Sequence, residues 1–328
     1  MDSFTGKLAV VTGGGSGMGR ELVCQLAATG CSVATCDWRQ DALADAAAAA
    51  RAAAPDVRVT SHACDVSDEA QVLRFRDEVL QEHAADHVDL VFNNAGVGGG
   101  ASFVRDSRES WERTFAVDWW GVYYCARAFL PLLIASGDGV LVNTSSVDGF
   151  WATGGPGLPN TAYCAAKFAV KGFTEALIED LRVNAPQVRV AIVMPGHVGT
   201  DILANSRRAL GLPEPEAMTL AQLEELIPAS ARAGLVRAGL LAANASVDDM
   251  RRVLTRLETD FRDKAPLTAA RAATIILDGV RSGAWRILVG RDAALIDAAV
   301  RAKPEAAYDY PELFRDLRER AQASSGAA

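Results

Sequence analysis

LAVVTGGGSGMGRELVCQLAA occupies residues 8–28. Leu8 to Thr12 is a short apolar run rich in β-branched residues, the kind that forms a strand buried on both faces. Gly13, Gly17 and Gly19 follow at once, and then Leu22, Val23, Leu26 and Ala27 recur at the spacing of one helix face. Strand, glycine turn and helix in that order form the opening of a βαβ unit. The glycines let the backbone take positive φ and let a ligand approach the helix start, whose free N–H groups favour a phosphate. The spacing is G-x-x-x-G-x-G, not the commoner G-x-G-x-x-G. A plain turn is the competing reading, and the flanking strand and helix weigh against it.

The pattern repeats along the chain. CSVATCD predicts a second strand ending at Asp37, eighteen residues beyond Gly19, where an acid can meet an adenosine ribose. A carboxylate there accepts both ribose hydroxyls and repels a 2′-phosphate, which favours NAD over NADP; Arg39 is the counter-signal. An alanine-rich helix over 41–54 and a strand near 57–63 lead into CDVSDEA, where Asp65 follows the strand and Ser67 reads as a helix N-cap. VDLVFNNAG supplies a further strand and ends in Asn93, Asn94, Ala95 and Gly96. Residues 107–134 form one long amphipathic stretch with Trp111, Phe115, Trp119, Tyr123 and Phe129 among its apolar positions, an aromatic stripe expected in the core or at a subunit interface. VRVAIVMPGHVGT and WRILVG read as two more strands. Alternating strands and helices predict an α/β chain with a doubly wound parallel sheet of about seven strands, helices on both faces and a ligand at the carboxyl ends of the strands.

Composition narrows the function. Half of the 328 residues are apolar, and the net charge of −8 is spread without a basic stripe, which argues against nucleic acid or an anionic membrane surface and for a small-molecule partner. No stretch approaches the ~18 apolar residues of a membrane span, so a soluble cytoplasmic protein is expected. Cysteines 24, 31, 36, 64, 125 and 164 have no metal-ligand spacing and read as reduced core thiols. His83 and His87 are four apart, but no carboxylate-rich partner segment accompanies them, and no metal site is assigned.

The chemistry concentrates in residues 143–171. Tyr163 and Lys167, four apart on a helix, project from one face so that an ammonium can sit beside a phenol. A fixed positive neighbour favours the phenolate, which makes the pair a candidate acid–base. Ser146, at the end of GVLVNTSS, can hydrogen-bond the oxygen of a reacting alcohol or carbonyl.

Taken together these residues resemble the single-domain short-chain dehydrogenase/reductases. TGGGSGMG is similar to that family's TGxxxGxG turn, NNAG to its sheet-stabilising motif, Ser146 with YCAAK to its catalytic residues and PGHVGT to its PGxVxT segment. The resemblance covers roughly 7–200 and again 266–291. It implies a Rossmann-type fold, a nicotinamide cofactor and a homodimer or homotetramer built on the two long central helices. It also implies roles. Tyr163 would exchange a proton with the substrate oxygen, Lys167 would lower the tyrosine pKa and hold the nicotinamide ribose, and Ser146, in preference to Ser145, would position the substrate. Gly13, Ser16, Gly17, Met18 and Gly19 would face the pyrophosphate, Asp37 the adenosine ribose, and Asp65 and Val66 the adenine. Asn93, Ala95 and Gly96 would border the ribose region, and Pro195, Gly196, Val198 and Thr200 the carboxamide.

Three departures from the family pattern stand out. Asp118 occupies the position of a relay asparagine, so an acceptor-only carboxylate replaces an amide; it is expected to keep the relay through a water and to strengthen the charge on Lys167. Ser146 and Tyr163 are seventeen apart where thirteen is usual, and the longer loop carries Trp151, either a wall of the substrate pocket or a hydrophobic plug. Residues 201–265 form an enlarged helical lid inserted in a single 1–328 domain, with apolar faces that cover a substrate, a second subunit or the core; 303–328 form a tail able to reach a neighbour. His197, beside the expected nicotinamide, is a further substrate candidate against a structural turn histidine. The expected activity is NAD-dependent interconversion of a secondary alcohol and a ketone, on an apolar or aromatic substrate and in the oxidative direction. The alternatives are an NADP-dependent biosynthetic carbonyl reductase or a non-catalytic dinucleotide-binding regulator.

Overall fold

Strand β1 (Leu8–Thr12) is buried along its whole length, and its side chains divide between two cores. Ala9 and Val11 face one apolar cluster, Leu8 and Val10 the other, as the two-residue period of a strand requires. Helices α1 (Gly17–Ala28) and α2 (Gln40–Ala53) contribute Leu22, Leu26, Ala47 and Ala50 to the first cluster. Helix α3 (Glu69–His83) contributes Val72, Phe75 and Val79 to the second. The computed structural model describes residues 1–227, 229–237 and 239–325. The portions of the lid and tail at 228, 238 and 326–328 lie outside the described residues.

Between these helices run β2 (Ser32–Asp37), β3 (Val59–Ala63) and β4 (Leu90–Asn93). Farther on come helix α4 (Arg108–Phe115), a π-helical segment (Ala116–Trp120), helix α5 (Gly121–Ala135), β5 (Gly139–Thr144), α6 (Thr161–Asn184) and β6 (Val188–Pro195). The short β7 (Val198–Gly199) introduces the lid helices α7 (Ile202–Ala209), α8 (Leu220–Leu226), α9 (Ala229–Arg237) and α10 (Val247–Asp263). The chain closes with β8 (Leu267–Thr268), α11 (Ala269–Arg281), β9 (Arg286–Val289), α12 (Arg291–Ala302) and α13 (Tyr310–Ser325).

Seven strands form one sheet in the order β3-β2-β1-β4-β5-β6-β9, and every pairing is parallel. This is the doubly wound Rossmann-type arrangement that the strand and helix alternation predicts. The strand order reverses between β1 and β4, and the crevice at their carboxyl ends is where such sheets bind ligands.

Several local expectations change. Ser67 does not cap α3: Asp68 does, accepting the N–H groups of Ala70 and Gln71, while Ser67 donates to Asp65. The long amphipathic stretch is interrupted by the π-helical segment, which holds Asp118. The lid helices bury their apolar faces on one another, in a small core of Met218, Leu223, Ile227, Met250 and Leu254. Buried Arg207 ties α7 to Glu258 of α10 at 2.8 Å and to Glu214 at 2.6 Å. The tail is no loose arm, because α13 and the residues before it dock on the long loop of their own chain.

Candidate active site

The glycine turn places its free helix end at the crevice. Ser16, the N-cap of α1, makes no side-chain cap to the helix N–H groups, which leaves them to a ligand. Gly13 has φ +69°, and a Cβ there would lie 2.8 Å from the Ala95 Cα; at Gly19 it would lie 2.1 Å from the Gly13 carbonyl oxygen. Gly19 therefore serves the packing of the turn more than ligand contact. A cavity opens here, and Gly13, Ser16, Gly17 and Met18 form one wall. Asp37, Asp65, Val66, Ala95, Gly96 and Thr200 form others. The uncapped helix end, a carboxylate at the end of β2 and an apolar slot at Val66 fit a dinucleotide.

Asp37 accepts the Gly15 N–H and the Arg39 N–H, both at 3.0 Å, and burial pushes its carboxyl up against these hydrogen bonds. Arg39 lines the same cavity, but its guanidinium is held by Asn205 Oδ1 at 2.7 Å. Asn205 also donates to Ser16 Oγ at 3.0 Å, so one lid side chain links the glycine turn to Arg39, two residues after β2. Asp65 binds Ser67 and the Arg113 guanidinium, at 2.7 and 2.8 Å. Burial acts to raise its pKa, yet these partners outweigh it and hold the carboxyl low.

Not every candidate faces the cavity. Asn93 is buried in the sheet and donates to Asn143 Oδ1 at 2.9 Å; the cavity is lined instead by Asn94, which donates to the Thr12 carbonyl at 3.1 Å. Pro195, Gly196 and Val198 lie outside the cavity lining. Pro195 ends β6, Gly196 is hydrogen-bonded to the Val289 carbonyl and Val198 pairs with Leu267. His197 is corrected to a structural turn histidine: its Nε2 meets the Phe261 carbonyl at 2.8 Å and its N–H donates to Asp292. Trp151 is likewise a plug, not a pocket wall. Its indole packs among Ala299, Ala307 and Leu313, and Nε1 donates to the Ala307 carbonyl at 2.8 Å. Tyr310 seals the same junction through Thr153 Oγ1 at 2.8 Å.

Helix α6 carries Tyr163 and Lys167 one turn apart, with the Lys167 ammonium 5.3 Å from the centroid of the Tyr163 ring. The Ser146 hydroxyl faces the phenol, whereas Ser145 Oγ donates to the Lys167 carbonyl at 2.8 Å. Lys167 is buried, donates to the Thr144 carbonyl at 3.2 Å and lies 3.0 Å from Asp118 Oδ1. Asp118 thus touches the lysine directly and not through a water. Its other oxygen, Oδ2, is buried without a partner. A Cβ on Gly96 would fall 2.6 Å from Asp118 Oδ1, so glycine is needed there to admit the ion pair.

The electrostatics depart from the sequence expectation. Burial first, and then the charges of Asp118 and Asp148, push the Tyr163 phenol well above its ordinary pKa, with Ser146 opposing. Lys167 was expected to lower it, but the lysine charge is answered by Asp118. Asp118 itself is pushed up to about 6 by burial, against the pull of Lys167. The residues that the sequence reading missed, Arg113, Asp148 and Asn205, are polar side chains of loops and helices whose roles depend on distant partners.

A Rossmann-type sheet with this crevice and a Ser/Tyr/Lys cluster beside it defines a class, the dinucleotide-dependent oxidoreductases. The short chain dehydrogenase family profile matches residues 7–211. A Mycobacterium tuberculosis protein named "Putative oxidoreductase SadH" is 34% identical over 301 residues, which cover 92% of each chain. Among solved structures, a short chain dehydrogenase/reductase from Burkholderia phymatum in complex with NAD has a TM-score of 0.71 at 29% identity, covering 93% of this chain and 95% of that one. A metagenomic short-chain oxidoreductase in complex with NADP has a TM-score of 0.52 at 32% identity, covering 59% and 83%. The chain belongs to the short-chain dehydrogenase/reductase family, and it is an NAD(P)-dependent oxidoreductase acting on CH–OH groups. No helix among the described residues is long and apolar enough to cross a membrane, and no cluster that could hold a metal occurs among them.

Proposed function

We propose that this enzyme interconverts a secondary alcohol and a ketone, with Tyr163 as acid–base and NAD in preference to NADP. The observation that carries the reading is the convergence of Tyr163, Lys167 and Ser146 at the end of β5, beside the cavity that begins at the glycine turn. The bound nicotinamide would supply the hydride acceptor or donor. Ser146 Oγ accepts the Asp148 N–H at 3.1 Å, so its own proton is left for the phenol it faces or for a substrate oxygen bound between them. In reduction Tyr163 gives its proton to that oxygen, and in oxidation it takes the proton back. Its raised pKa suits the donor role in the cofactor-free protein. Lys167, braced by Asp118 and the Thr144 carbonyl, keeps a fixed position beside the phenol, from which it would hold the cofactor ribose.

Asp37 supports NAD, since its carboxylate at the end of β2 would meet a ribose and repel a phosphate. Arg39 favours the second reading, an NADP enzyme, but engagement with Asn205 and Asp41 diverts its guanidinium. Exposed aromatic side chains, Trp120 at the end of the π-helical segment that leads into α5 and Phe168 on α6, at 42% each, support a homodimer or homotetramer through the two long helices. Six free thiols suit a reducing compartment such as the cytoplasm. An apolar or aromatic substrate is the expectation, because the charges named around Tyr163, those of Asp118 and Asp148, are answered within the site by Lys167 and Asn160.

The test is turnover of a panel of aliphatic, aryl, steroid and terpenoid alcohols and ketones with NAD and with NADP, on wild type and Tyr163→Phe. Turnover with NAD that falls at least ~10²-fold in Tyr163→Phe supports the reading. Undiminished turnover in Tyr163→Phe, or turnover with NADP alone, refutes the corresponding half.

A further inference from the structure

Asp148 lies in the 3-10 turn Val147–Gly149, two residues after Ser146. Its N–H donates to Ser146 Oγ at 3.1 Å, and one of its carboxylate oxygens accepts from Asn160 Nδ2 at 3.1 Å. Asn160 precedes α6, so this bond pins the two ends of the long loop together next to Tyr163. No cation forms an ion pair with Asp148 among the described residues. The turn packs on α6, α12 and β6. From α6, Tyr163, Cys164 and Lys167 lie within electrostatic reach of the carboxylate. The charges of the other two elements are engaged elsewhere. Asp292 accepts the His197 N–H, Asp297 pairs with Arg286 and Arg301, Arg291 binds the Ala321 carbonyl, and Arg189 pairs with Asp138. Two carboxylates, Asp118 and Asp148, therefore share one ammonium, Lys167, around one phenol.

We propose that Asp148 is a positioning residue for the acid–base step, its backbone N–H orienting Ser146 and its carboxylate, pinned by Asn160, setting a negative charge beside the Ser146 and Tyr163 hydroxyls. The inference rests on the reading of Tyr163 as acid–base. Burial raises the Asp148 carboxyl to about 7, so its charge develops across the neutral range, in the region where a pH profile resolves it. As that charge appears, the phenol holds its proton more firmly and alcohol oxidation, which needs the phenolate, is delayed to higher pH.

The experiment is the pH dependence of kcat/KM for alcohol oxidation, with the full-length protein and saturating cofactor, for wild type, Asp148→Asn and Asp148→Ser. Both variants remove the charge with different shapes, and either one that folds suffices. The expected result is a rise in kcat/KM displaced by about one pH unit toward lower pH, with cofactor affinity unchanged. A rise at the wild-type position overturns the proposal, as does a change confined to KM, which would make Asp148 a substrate contact. Tyr163→Phe in the same series separates the two possible failures. Lost turnover in Tyr163→Phe with an unmoved profile in the Asp148 variants overturns this proposal alone, whereas retained turnover in Tyr163→Phe overturns the acid–base reading beneath it.

Discussion

Replacing Asp118 by asparagine tests how the buried ion pair governs the phenol. Lys167 Nζ lies 5.3 Å from the Tyr163 ring centroid. At an effective dielectric of about 20, an ammonium and a phenolate at about that distance attract by about 3 kcal/mol, or roughly two pKa units. In this protein that attraction is offset, because Asp118 Oδ1 sits 3.0 Å from the same nitrogen and its charge repels the phenolate. Asp118→Asn keeps an oxygen for Lys167 and for the Val97 N–H, which now bonds Oδ1 at 3.3 Å, and removes only the charge. Allowing for partial compensation, Tyr163 should ionise about one unit lower, and the alkaline rise of kcat/KM for oxidation should move by that amount. A second readout follows from linkage. Burial raises the Asp118 carboxyl from 3.8 to about 6 in the folded protein, so between these values the folded state binds the extra proton and stability falls as pH rises. That fall is complete above about 6, and Asp118→Asn should flatten it in thermal melts recorded across this window. Unchanged turnover and pH–rate profile in Asp118→Asn would show that the carboxylate does not govern Tyr163.

Two further substitutions probe the frame around the site. In Gly19→Ala the new Cβ would meet the Gly13 carbonyl oxygen at 2.1 Å, a backbone contact that cannot rotate away; the strain should cost about 1–3 kcal/mol in urea unfolding and, by displacing the turn, weaken dinucleotide binding in a fluorescence titration, and an unaltered stability would contradict the packing role of Gly19. Trp151→Ala empties the plug beneath α12 and α13, where the indole is only 8% exposed. It should cost about 3–5 kcal/mol and open the C-terminal helix to limited proteolysis while leaving the substrate KM unchanged. A raised KM at wild-type stability would instead return Trp151 to the substrate pocket.

The parts of the site that local pattern encodes were legible before any coordinates. A glycine turn between an apolar strand and a helix, an acid at the end of the next strand and a Tyr/Lys pair one turn apart are all relations within about twenty residues. They depend on strand and helix periods alone. Asn93 and Asn94 show the limit of that reasoning. Adjacent residues leaving a strand point to opposite sides, and only the sheet register determines that Asn93 is buried against Asn143 while Asn94 lines the cavity. For a related reason the sequence leaves His197 and Trp151 open between a substrate contact and a structural role, and the fold decides for the latter. Their partners, Phe261 and Ala307, are 64 and 156 residues away along the chain.

The sequence by itself determined the parallel α/β architecture and the place of the dinucleotide crevice, because both follow from short-range periodicity and backbone chemistry, and it set Tyr163 and Lys167 one turn apart; the choice of Ser146 to join them is what the family resemblance implies. Tertiary structure alone decided the electrostatic state of that cluster. Whether Lys167 favours a phenolate depends on how its charge is divided among Tyr163, Asp118 and Asp148, and on how much water reaches them. The π-helical segment that presents Asp118 and the Asn160 bond that pins Asp148 settle these balances. Coulomb energies and desolvation vary with separations of a few ångströms between groups distant in the chain, and no local pattern of residues specifies such distances.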